Sequence, residues 1–271
     1  MQINFKDKEA YDYLLSFDLF PNKQEGFNYL NDAYIRLKET IKIIPDLNPK
    51  TKILELGANP YFLTLLLIKY YKIKPKLANF FNKNHSKTET QTIKSNKYKK
   101  THSFKYNHFN LEINKFPYKS NSFNLVINCE ILEHLTVDPV HAIREIYRIL
   151  KQNGYILITT PNVNREENWL KLIKGQNIYD PYSGYGVYGR HNREYTINEL
   201  RDILFINGFK ILSSGSFYKK KPSSYFSQKI LRLVAKKIFK NEENKDHIFV
   251  LAQKRKRSKT TRPVYLYRSL K

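Results

Sequence analysis

The chain has 271 residues, with 48 Lys and Arg against 24 Asp and Glu and a formal net charge of +24. Hydrophobic residues at 41%, with 21 Tyr and 17 Phe, exclude a disordered protein, and a single cysteine excludes an internal disulfide or a cysteine-built metal cluster. This length allows one good core with an appendage, but not two full domains.

The charge reads in two ways. One is a polyanionic partner, either nucleic acid or a membrane or glycolipid surface. The plainer one is codon bias, because Lys, Asn, Ile, Tyr and Phe are enriched together and the lysines are spread along the chain. The amino terminus lacks the basic-then-apolar layout of a signal peptide, and no apolar run reaches the ~18 residues of a membrane span. A cytoplasmic protein without a transmembrane segment is expected.

Residues 1–50 read as helical. Tyr11, Tyr13, Leu14, Leu15 and Phe17 form a short apolar segment broken at Pro21. Phe27, Leu30, Ala33, Tyr34, Leu37 and Ile41 then follow a three-to-four repeat, which reads as core packing. A first strand is predicted over 52–56, a tight turn over 57–60 and an apolar helix over 61–71. A second strand follows over 76–81 and a polar, lysine-rich surface loop over 82–102. The third strand is predicted over 104–109.

The stretch from Phe123 to Asn162 organises the rest. A buried strand over 123–127 leads into an acidic turn, and Asp138-Pro139 starts a helix. Ile143, Ile146, Tyr147 and Leu150 share one face of that helix, Gly154 reads as its stop, and a further strand lies over 156–160. Strand, helix, strand in this order is a right-handed parallel crossover. In the turn, Glu130, Glu133 and His134 stand at i, i+3 and i+4, so one helical turn would put them on one face. Beyond come a short helix with Trp169, a tyrosine- and glycine-rich loop over 175–189, and a helix over 197–207 capped by Thr196 with Glu199. Strands over 209–212 and 247–252 flank an apolar and basic helix over 223–240. Residues 254–271 read as a basic, frayed tail.

The run Ile53-Leu-Glu-Leu-Gly-Ala-Asn-Pro60 followed by Cys129-Glu-Ile-Leu-Glu-His134 resembles the class I S-adenosylmethionine-dependent methyltransferases, over roughly residues 50–210. Within these it is similar to the bacterial group, types 11 and 23, that acts on small molecules or glycans. The resemblance implies a Rossmann-like, doubly wound, seven-stranded α/β sheet with an amino-terminal helical cap: cap 1–50, methyltransferase domain 51–253, basic tail 254–271. It also implies an S-adenosylmethionine site. Glu55, Gly57, Ala58, Asn59 and Pro60 would border the methionine part, Asn79 the ribose, and Asn110 and Leu111 the adenine, with Cys129 alongside. Asn79 stands where the family has a carboxylate, and Ala58, Asn59 and Pro60 replace its later glycines.

By resemblance to small-RNA 2′-O-methyltransferases and some ubiquinone-pathway enzymes, Glu130, Glu133, His134 and His191 would hold a divalent metal, magnesium or manganese. Equally open are His134 as general base with Glu133 beside it, and plain pocket lining. The expected reaction is O-methylation of a carbohydrate or cell-envelope intermediate. The alternatives are RNA 2′-O-methylation and a catalytically silent methyltransferase-fold binding module. Helix 223–240 adds the expectation of peripheral contact with the inner face of the membrane.

Overall fold

The computed structural model describes residues 7–81, 87–219, 243–255 and 262–268. Eight strands form one sheet: β1 (Ile53–Leu56), β2 (Lys76–Asn79), β3 (Lys87–Ser95), β4 (Lys100–His108), β5 (Phe123–Cys129), β6 (Leu150–Pro161), β7 (Phe209–Phe217) and β8 (His247–Lys254). Their order is β3-β4-β2-β1-β5-β6-β8-β7. The five inner strands from β4 to β6 run parallel, and β3, β8 and β7 pair antiparallel. From β1 the chain winds outward through β2 to β4, then returns to β5 on the other side of β1. That reversal opens a crevice at the carboxyl ends of β1 and β5, where open α/β sheets bind ligands.

Helices cover both faces. On one lie α1 (Asp7–Leu15), α2 (Lys23–Ile43) and α3 (Phe62–Leu66), the last running into a π-helical turn, Leu67–Tyr71. Leu14, Leu30 and Ile41 pack there with Leu65, Leu66 and the β5 side chains Leu125 and Ile127. On the other lie α4 (Pro139–Ile149) and α6 (Ile197–Ile206), whose Ile143, Ile146, Leu200 and Ile203 meet Leu54, Leu56 and Val126. Neighbours along β5 therefore go to opposite cores, the alternation of a strand buried on both faces. Each fully buried Ile or Leu contributes roughly 1.5–3 kcal/mol. A shorter helix, α5 (Glu166–Ile173), follows β6.

Capping sets the helix starts. The Asp138 carboxylate accepts from Val140 N at 2.9 Å with Pro139 in the first turn, and Thr196 and Glu199 form a reciprocal capping box.

The structure corrects several expectations. The segment 82–102 is not all loop, since much of it is the β3–β4 hairpin, with Ile93 and Ser95 buried. This makes the sheet eight-stranded instead of seven. Gly154 does not stop α4, which ends at Ile149; it lies inside β6, where an added Cβ would approach Lys151 O at 2.9 Å. Part of the tail is docked: Arg262 and Tyr267 bind the Asp138 carboxylate, and Tyr265 bonds Asp202. The helix expected over 223–240 lies outside the described residues. Among the described residues no helix is long and apolar enough to cross a membrane.

Candidate functional site

Two cavities meet at the carboxyl edge of the parallel strands. The first, about 340 Å³, runs along the ends of β4, β2, β1 and β5. Glu55, Gly57, Ala58, Asn59, Pro60, Asn79, Asn110, Leu111 and Cys129 all line it. The turn after β1 is shaped by Gly57, whose φ of +64° is left-handed and whose added Cβ would overlap the Ile131 side chain. Beneath it Glu55 accepts from Thr64 Oγ1 at 2.6 Å, and burial pushes its carboxyl up to about 8. Burial likewise pushes the thiol of Cys129, which lines the cavity, up to about 12.

Asn79, expected at a ribose, has both ends of its amide engaged within the protein. Its Oδ1 accepts from Asn59 N at 3.0 Å and its Nδ2 donates to Tyr61 Oη at 3.2 Å. It braces the turn after β1. Asn110 is held similarly: Oδ1 accepts from Glu112 N at 2.8 Å, and Nδ2 donates to Tyr188 Oη at 2.9 Å.

The second cavity, about 470 Å³, is polar. Asp32, Glu133, Arg165, Asp180, His191, Glu194 and His247 contribute to its walls. Tyr29, Arg36, Glu130 and His134 line both cavities and form the seam between them.

The acidic turn is not one helical face. Glu130 has a φ of 55°, and a short 3-10 turn, Leu132–His134, begins only after it. The Glu130 carboxylate is not in the group formed by Glu133, His134 and His191. It accepts from Thr159 Oγ1 at 2.8 Å, lies 3.1 Å from His247 Nδ1 and faces Arg36 Nε at 3.8 Å. Burial opposes its charge, but Arg36 and His247 outweigh that and hold its pKa low. Glu130 is thus a fixed negative charge at the seam, outside the expected metal quartet.

Glu133, His134 and His191 do come together, each offering a donor atom within 4.8 Å of the others. Glu133 is fully buried, and its Oε2 accepts from Thr160 Oγ1 at 2.9 Å. Its Oε1 has no hydrogen-bond partner among the described residues and lies 3.9 Å from His134 Nε2. Burial, reinforced by the charge of Glu130, raises the Glu133 pKa.

His134 Nδ1 lies 3.0 Å from Arg190 O. A carbonyl only accepts, so Nδ1 carries the proton and Nε2 keeps its lone pair. Burial and then His191 lower the His134 pKa, favouring this neutral form. His191 Nδ1 lies 3.0 Å from a Glu194 oxygen, and Glu194 is paired in turn with Arg165. Burial opposes charge on His191, yet Glu194, Glu133 and Asp180 raise its pKa. Two imidazoles oriented through Nδ1 beside an unpartnered buried carboxylate oxygen form a donor set that fits a divalent cation. The same lone pair on His134 Nε2 fits a general base.

Arg36, Tyr188, Glu194 and His247 escaped the sequence reading. Arg36 sits inside the helical stripe read as core, and His247 inside a strand. For Tyr188 the one signal was the tyrosine-rich composition of its loop.

The profile of a family described as a methyltransferase domain matches residues 27–214. Over 102 residues, 38% of this chain, the sequence is 32% identical to an uncharacterised protein of Methanocaldococcus jannaschii, and the match spans 37% of that relative's length. Among solved structures, an Archaeoglobus fulgidus S-adenosylmethionine-dependent methyltransferase aligns with a TM-score of 0.55 at 15% identity, covering 84% of this chain and 99% of that one. A chain from the complex of the Haloferax volcanii Trm112 methyltransferase activator with its methyltransferase aligns at 0.53 and 12% identity, covering 94% and 100%. At such identities the structural likeness carries the fold alone.

Proposed function

Because the chain belongs to the methyltransferase-domain family, and with it to the class I S-adenosylmethionine-dependent methyltransferases, we propose that it methylates a hydroxyl oxygen of a polar acceptor, a carbohydrate or cell-envelope intermediate. The observation that carries this reading is the seam, where the two cavities adjoin and share Arg36, Glu130 and His134 as lining. When bound, S-adenosylmethionine supplies an electrophilic methyl group on a sulfonium. Glu130 offers a fixed negative charge for that cation, and Gly57 lets the backbone approach the ligand closely. His134 Nε2 faces the polar cavity as the acceptor of the hydroxyl proton, held in that tautomer by Arg190 O. Carboxylates, imidazoles and guanidinium groups around it offer the dense hydrogen bonding that a polyhydroxylated acceptor needs.

A second reading is favoured by the orphaned Oε1 of Glu133. In it Glu133, His134 and His191 hold a divalent cation, magnesium or manganese, which when bound lowers the pKa of the acceptor hydroxyl. The deciding experiment follows methyl label from S-adenosylmethionine into cell-envelope saccharides and RNA from a deletion strain, with and without EDTA. Label in saccharide is expected, and label in RNA alone overturns the acceptor assignment. Loss in EDTA with recovery on magnesium or manganese selects the cation. Indifference to EDTA, with a 10²–10⁴-fold loss in His134→Gln, selects the base.

A further inference from the structure

From the last turn of α5 into the loop before α6, the chain keeps its large side chains outside. Of the sixteen large hydrophobic residues exposed among the described ones, six stand within 172–187: Leu172, Ile173, Tyr179, Tyr182, Tyr185 and Val187. Tyr182 and Tyr185 are 92% and 90% exposed, whereas Tyr61 and Tyr195 are 0% and 2%. An apolar stretch of this kind left in water marks an interaction surface.

The backbone beneath it is fixed. Gln176 N donates to Lys171 O at 2.8 Å, Tyr185 N to Ser183 Oγ at 3.1 Å and Gly189 N to Gly186 O at 3.0 Å. Further on, the loop is fastened to the acidic turn, where Asn192 N donates to Glu133 O at 2.7 Å and Asn192 Nδ2 to His134 O at 2.9 Å. His191 N donates to Asp180 Oδ2 at 3.0 Å, and both residues line the second cavity. Tyr179 and Tyr182 stand on either side of Asp180, so the exposed stretch reaches the rim of the proposed acceptor site.

Its composition selects the partner. A saccharide platform sets flat rings among amides and carboxylates, whereas Leu172, Ile173 and Val187 offer neither a stacking face nor a hydrogen bond. From Lys171 to Arg193 there are four cations, Lys171, Lys174, Arg190 and Arg193, and one carboxylate, Asp180, which lines the cavity. Lys171 and Arg193 are shared with Glu167 and Glu199, and the Arg190 guanidinium lies 4.7 Å from the Tyr182 ring centroid. The whole chain adds a net charge of +24. Tyrosines with an apolar body and a wet hydroxyl, aliphatic side chains and cations together match the boundary between acyl chains and anionic headgroups.

We propose that residues 172–187 are a docking surface for anionic lipid bilayers, with Ile173, Tyr182 and Tyr185 entering the headgroup layer and Lys174 and Arg190 meeting lipid phosphates. Docking there sets the second cavity at the bilayer surface, within reach of an acceptor carried on a lipid. That last step rests on the reading of a cell-envelope acceptor; the docking itself does not.

The test is flotation of the full chain with vesicles of phosphatidylcholine, alone or mixed with phosphatidylglycerol, at ~0.15 M salt. Compared are the wild type, the triple variant Ile173→Ser, Tyr182→Ser and Tyr185→Ser, and Phe205→Ser, whose side chain is exposed on α6 outside the loop. Both variants keep the net charge, and thermal melting of each checks folding. The wild type and Phe205→Ser should float with the anionic vesicles, and the triple variant should partition about tenfold less. Equal flotation of the triple variant overturns the proposal, because charge elsewhere on the chain then does the binding. Recovery of the wild type wholly in the soluble fraction overturns it too, as does equal binding to the neutral vesicles. A triple variant that floats normally but fails to methylate soluble saccharide would make the loop a saccharide platform instead. Methyl transfer to saccharide by a wild type that does not float sinks the docking alone, whereas flotation with no label in any saccharide removes the acceptor reading and leaves the docking in place.

Discussion

Gly57 and Glu55 stand two residues apart and answer opposite demands of the same turn. Gly57 must adopt a φ of +64° against Ile131, which a side chain resists. Gly57→Ala should therefore cost about 1–2 kcal/mol in urea unfolding and weaken S-adenosylhomocysteine in calorimetry. Glu55 is buried with its carboxyl raised from the usual 4.5 to about 8. The folded state then binds more protons than the unfolded state between those values, so stability declines as pH rises from about 4.5 to about 8. Glu55→Gln, which cannot ionise, should flatten that decline when urea midpoints are compared across this range. The sequence alone placed Glu55 near the end of the first strand and Gly57 in the turn after it, because a strand, a glycine and an apolar helix in series leave little freedom. It misplaced Glu130, since i, i+3 and i+4 spacing presumes a helix and a left-handed residue at position 130 breaks the register. It could not foresee that Asn79 would be engaged by Asn59 and Tyr61, because those bonds exist only once the turn has folded back on β2.

At the scale of elements, the parallel core was legible wherever apolar runs were flanked by turn residues, as in β1, β5 and β6. The third strand, expected over 104–109, is the second half of β4, but β3 was not legible, because an edge strand exposes most of its side chains and reads as polar. Its one readable trace is the alternation of Thr88, Thr90 and Thr92 before the buried Ile93. The α2 stripe was read as core packing, and Leu30, Leu37 and Ile41 do pack there; yet Tyr29, Ala33 and Arg36 also wall the first cavity. The docked tail has its charged anchor at the start of α4. Asp138 caps that helix and receives Arg262 and Tyr267. Asp138→Ala should cost about 1 kcal/mol from the lost cap, the partly exposed ion pair adding little, and should hasten tryptic cleavage after Arg268.

The whole molecule places two chemically different cavities on one sheet edge, with the reversal between β1 and β5 supplying the crevice. One is long, partly aromatic and walled by the turn after β1. The other is polar and carries Glu133, His134 and His191. The net charge of +24 belongs to this scale too, and it predicts nothing about the second cavity, whose lining holds seven carboxylates: Asp32, Glu130, Glu133, Glu167, Asp180, Glu194 and Asp246. The central claim is that the first cavity holds S-adenosylmethionine over the Gly57 turn. Titration calorimetry with S-adenosylhomocysteine on the wild type and on folded Gly57→Val tests it most directly. One molecule bound per chain and a large loss of affinity in the variant are expected. No heat from the wild type at millimolar ligand, or equal binding by Gly57→Val, would contradict it.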